Sequence, residues 1–158
     1  MSTKNNLAKQ NNQYYLFWFV LFGICTILYQ QIQDTWRPSY SGNNNFILYM
    51  LGVAPNFFPG IGLPAIFLLL IPFVKAKESN NIWMTDRRHI TGIMIALGGL
   101  ITWELIQGFL PKAHFDLNDI LWTCLGCLTF YFIWRIVPKT IRQENIRINV
   151  KTETEQTA

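Results

Sequence analysis

Between positions 104 and 119 the chain places Glu104, Gln107, His114, Asp116 and Asp119, side chains able to accept, donate or exchange protons. Glu104 and Gln107 are three residues apart, so on a helix they share a face, and the glutamine amide can donate to the carboxylate. Asp116 and Asp119 repeat that spacing just before the next apolar run. There the first suits a helix N-cap, and the second favours the positive end of the helix dipole. Asp119, one turn inside its helix, can also face Glu104. Carboxylates brought together this way repel unless they are protonated or bridged by a donor, a cation or a ligand head group. Two such acids in different settings could serve as an acid/base pair. Oxygen ligands of this kind suit calcium or magnesium, but the spacing matches no metal-binding loop, so no metal and no cofactor is assigned. His114, in a turn, reads as an ordinary loop histidine. A plainer reading has Glu104 simply tying two helices together.

The segments that carry these residues are unusually apolar. Hydrophobic residues make up 51% of the 158 positions and charged ones 14%, well below the soluble average of about 25%. The apolar residues form long uncharged runs instead of amphipathic stripes, so lipid is the expected solvent. The net charge of +4 does not indicate a nucleic-acid partner, because the lysines and arginines sit in loops and tails beside those runs.

Residues 14–32 contain no charge and approach the roughly 20 needed to cross a hydrocarbon core, which makes them a first span and a retained anchor. Residues 33–45 read as a polar loop. Residues 46–74 are apolar but interrupted by Gly52, Pro55, Pro59, Gly60, Gly62 and Pro64. Proline removes an amide donor and clashes with the preceding turn, so residues 57–74 are expected to span and 46–54 to form an interfacial or re-entrant lead-in. One long kinked helix is the alternative and leaves the number of crossings unchanged. Residues 75–89 read as an aqueous loop. Residues 90–110 form a third span, whose Gly92, Gly98 and Gly99 offer flat faces for helix contact. Residues 111–116 form a turn and 117–137 a fourth span. Cys124 and Cys127, inside that apolar helix, read as packing residues, as does Cys25. The fold class expected is therefore an all-α membrane bundle of four spans over residues 14–137. It is flanked by a cytoplasmic tail over 1–13 and a disordered cytoplasmic tail over 138–158.

Orientation follows from the basic residues. Two precede the first span, four lie in the second loop and five run from Arg135 onward, so eleven of the thirteen fall on one side of a four-span chain. The positive-inside rule makes that side cytoplasmic, with both termini there in the plasma membrane. The polar stretch then faces outward, with Glu104 roughly 6 to 9 Å inside the outer end of its helix.

The order Glu104-x-x-Gln107, a short turn, Phe115-Asp116-x-x-Asp119 and then Leu125-Gly126 resembles the second half of VanZ-like membrane proteins, over roughly residues 90–137. That family is named for a member linked to resistance to the glycopeptide teicoplanin. Glu104, Gln107 and Asp119 align with its polar motif and Gly126 with the glycine that follows. Its usual turn arginine falls near Lys112 or Ala113 here, its asparagine at Thr123, and residues 57–74 lack its histidine. The resemblance implies a small multi-span protein of a bacterial cell envelope. Together with the cluster it raises three expectations: binding of an outer-leaflet lipid, envelope precursor or glycopeptide-related ligand through Glu104, Gln107, Asp116 and Asp119; an acid/base enzyme or proton-coupled transporter using Glu104 and Asp119; or a helical subunit whose cluster is only structural. Oligomeric state is not legible.

Overall fold

A computed structural model of the chain describes residues 2–75, 87–110 and 115–142. Every regular element among them is helical: α1 (Ser2–Gln30), α2 (Arg37–Ser39), α3 (Asn45–Lys75), α4 (Arg88–Gln107), α5 (Leu117–Ile136) and α6 (Lys139–Arg142). Four stretches are long and apolar enough to cross a membrane, namely Asn12–Ser39, Asn45–Ile71, Arg88–Gln107 and Leu117–Ile136. The C-terminal tail beyond residue 142, most of the second loop, and residues 111–114, with His114, lie outside the described residues.

The first connection is shorter than the polar composition suggests. Helix continues past residue 32 through a wide π turn, Gln31–Trp36, and on into α2. Arg37 N–H donates to the Ile32 carbonyl across that turn. Pro38 does not stop the helix because it sits in the first turn of α2, where its missing N–H costs least. Only residues 40–44 remain as a link. Gly42 passes under the Tyr40 side chain, where an added Cβ would lie 2.6 Å from the hydroxyl oxygen. Asn44 then caps α3, its Oδ1 accepting from Phe46 N–H at 3.0 Å and Ile47 N–H at 3.4 Å.

The expected lead-in and separate span are one continuous helix, α3, of 31 residues. Its prolines remove donors without breaking it, and a neighbouring helix can supply a replacement for a freed carbonyl. One such replacement is visible. Pro72 cannot donate to the Leu68 carbonyl, and the buried Tyr14 hydroxyl of α1 donates to it instead at 3.2 Å.

α3 is the centre of the bundle. Half of its most apolar window is buried, against 17% for α1 and α4 and 22% for α5. Glycines permit this crowding at two crossings. At Gly60 of α3 and Gly126 of α5 the backbones nearly touch: a Cβ on Gly60 would lie 2.6 Å from the Thr123 carbonyl oxygen, and one on Gly126 would strike the Phe57 carbonyl. On α4, Gly92 sits against the Pro64 carbonyl, whereas a Cβ on Gly98 or Gly99 meets nothing within 4 Å. The expected helix contact is thus made by Gly92, and the other two glycines face outward. Nearer the far end, Tyr14, Trp18, Ala65, Leu68 and Phe130 form the core. There Trp18 Nε1 donates to the Ile141 carbonyl at 3.1 Å, which places the beginning of the first apolar stretch and the end of α5 at the same end of the bundle.

Candidate functional site

α4 buries three of its residues, Gly92, Ala96 and Glu104. Two are small enough for a close helix contact, and the third is a carboxyl in the last turn. Glu104 is only 4% exposed. Gln107 Nε2 donates to its Oε1 at 3.2 Å, the bond that the three-residue spacing anticipates. Its other oxygen, Oε2, is buried and makes no hydrogen bond.

The returning helix brings the second acid. Asp116 is the N-cap of α5, its Oδ1 accepting from Asn118 N–H at 2.8 Å, so its side chain is partly committed to the helix start. Asp119 is half-buried in the first turn, where the Asn56 side chain of α3 acts on its carboxylate. Glu104 lies within electrostatic range of both aspartates. Arg37, at the end of the first long helix, acts on Asp119 from the rim. Glu104, Gln107 and Asp119 are therefore neighbours, with Asp116 at their edge.

A second polar chain runs beside them. Trp122 Nε1 donates to the Tyr49 hydroxyl at 2.9 Å, and that hydroxyl donates to Asn118 Oδ1 at 3.1 Å. These bonds fasten the start of α3 to the start of α5. Asn56, Tyr49 and Arg37 were not among the residues singled out from the motif. A signal for Asn56 exists in the chain, since it is the sole side-chain amide within residues 46–74.

Chemically the site is dominated by acceptors. The Gln107 amide is already bonded to Glu104 Oε1, which leaves Oε2 without a partner among the described residues and within electrostatic range of two aspartates. Among the described residues no group of three or more His, Cys, Asp or Glu side chains is placed to hold a metal ion. Cys25 and Cys127 are buried, Cys124 is exposed, and all three are free thiols.

Comparison with known proteins finds no matching family model, no matching curated protein and no matching solved structure. The fold therefore defines the class: an all-helical bundle, in the described residues, with the four long apolar helices of a multi-pass membrane protein.

Proposed function

We propose that this chain is a VanZ-like protein of a bacterial plasma membrane that binds the polar head of an outer-leaflet lipid or cell-envelope precursor. Glu104, Gln107 and Asp119 form the centre of the site, with Asp116 and Asn56 beside them. The observation that carries this reading is Glu104 Oε2, buried and without a partner. A carboxyl whose only task is to join helices should have both oxygens satisfied, because an unpaired buried polar atom costs on the order of 1–3 kcal/mol. Protonation would turn Oε2 into a donor toward an aspartate oxygen, which is the acid/base reading; an ionised Glu104 needs a donor from outside the protein. A ligand that brings N–H or O–H donors completes the site.

The outward orientation rests on the eleven basic residues gathered on the opposite side, and the envelope role on the resemblance of residues 90–137. The test is mass spectrometry of lipids that copurify with the wild-type protein and with Glu104→Gln. A lipid or precursor retained by wild type and depleted in the variant is the expected result. Identical lipid profiles would refute the proposal. Proton movement abolished by the same substitution would favour the acid/base reading, for which the proximity of Glu104 and Asp119 is the supporting observation.

A further inference from the structure

The opposite end of the bundle carries charge of the other sign. Arg87 and Arg88 open α4, Arg135 lies in the last turn of α5, and Lys139 and Arg142 lie in α6. No acidic residue occupies the first turn of α4, whose dipole adds positive potential at the same place.

α6 is not loose at this end. The Trp18 indole, fully buried, holds the Ile141 carbonyl. The next residue, Arg142, is thereby set with its guanidinium carbon 4.7 Å from the centre of the Trp134 ring. His89 stacks on that same ring, with centroids 3.5 Å apart and planes 11° from parallel. Arg142 Nη1 reaches the Arg135 carbonyl at 3.5 Å, while its Nε is buried and makes no hydrogen bond. Both Arg142 and Arg87 act electrostatically on His89. A guanidinium is thus fixed in a corner rich in cations.

An apolar groove of about 390 Å³ ends on Ile141, the residue before Arg142 in α6. Leu16, Phe17, Val20 and Ile24 of α1 form its length and Ile141 its end. Leu16, Val20 and Ile24 are 63%, 46% and 50% exposed. From Gln13 to Ile24 the helix rises roughly 16 Å, close to half of a hydrocarbon core of about 30 Å. The groove is therefore one leaflet long, and it ends on the residue that precedes Arg142.

We propose that the groove and Arg142 together bind one anionic phospholipid of the leaflet at this end, its acyl chain lying along α1 and its phosphate on the Arg142 guanidinium, with Lys139 adding positive charge. Charge complementarity selects the head group, since guanidinium–phosphate pairing is strong and directional, whereas a zwitterionic lipid brings its own cation into a corner already rich in them. The groove selects a chain-bearing lipid over a free anion.

The full chain in detergent, titrated with dioleoyl phosphatidylglycerol, dioleoyl phosphatidylcholine and glycerol phosphate and read by native mass spectrometry, tests both halves. Phosphatidylglycerol should be retained about tenfold better than phosphatidylcholine, and glycerol phosphate should not displace it. Arg142→Gln should abolish the preference while leaving phosphatidylcholine retention unchanged. Val20→Trp, at an exposed position that the fold tolerates, should fill the groove and weaken retention of both lipids. Equal retention of the two lipids, a preference that survives Arg142→Gln, retention untouched by Val20→Trp, or displacement by glycerol phosphate alone would each overturn the proposal.

Discussion

The Tyr14 hydroxyl donates to the Leu68 carbonyl across 3.2 Å, and Leu68 is the residue whose carbonyl Pro72 leaves without its helical donor. A helix interrupted by proline is thus repaired from its neighbour, and the repair also fixes α1 against α3. Removing the hydroxyl should be felt. Tyr14→Phe is expected to destabilise the bundle by about 1 kcal/mol, measured by reversible unfolding in mixed micelles. In a Pro72→Ala background the restored amide supplies the bond, and the same substitution should cost little. An equal cost in both backgrounds would show that the hydroxyl does something else.

The glycine crossing makes a prediction with an internal control. Gly126→Ala places a methyl group against the Phe57 carbonyl and the Gly60 backbone, neither of which can rotate away. A loss of about 1–3 kcal/mol is expected from such overpacking. Gly98→Ala and Gly99→Ala meet nothing within 4 Å and should be neutral, or stabilising by up to about 1 kcal/mol through helix propensity. If all three alanines behaved alike, the close approach of α3 and α5 would be wrong.

At the acidic end, Glu104→Gln and Asp119→Asn should not add. Asp119 acts electrostatically on Glu104, which also takes the Gln107 amide, so a coupling above about 0.5 kcal/mol is expected in a double-mutant cycle on stability. Strict additivity would separate the residues into two unrelated sites.

Topology can be read directly. On the proposed orientation, with both termini on the side richer in basic residues, a reporter active only outside the cytoplasm and fused after residue 158 should stay silent. Activity there would reverse the orientation and with it the outward placing of Glu104.

Much of this organisation is legible in the chain because it depends on local properties. Long uncharged runs identify four segments long and apolar enough to cross a membrane, because length and composition belong to each segment whatever its partners. The three-residue step from Glu104 to Gln107 likewise determines their hydrogen bond, and Asp116 ahead of an apolar run determines the cap of α5. What lay beyond the sequence depended on neighbours. Residues 46–74 run through their prolines as one helix, and at Pro72 the freed carbonyl finds its donor on another helix, in Tyr14, which no propensity within the segment records. Which glycines meet another helix depended on which faces α3 presents, so Gly60, Gly92 and Gly126 are packed and Gly98 is not. Asn56 joined the carboxylates for the same reason: it is 63 residues from Asp119 along the chain, and only the parallel packing of α3 on α5 brings its amide there.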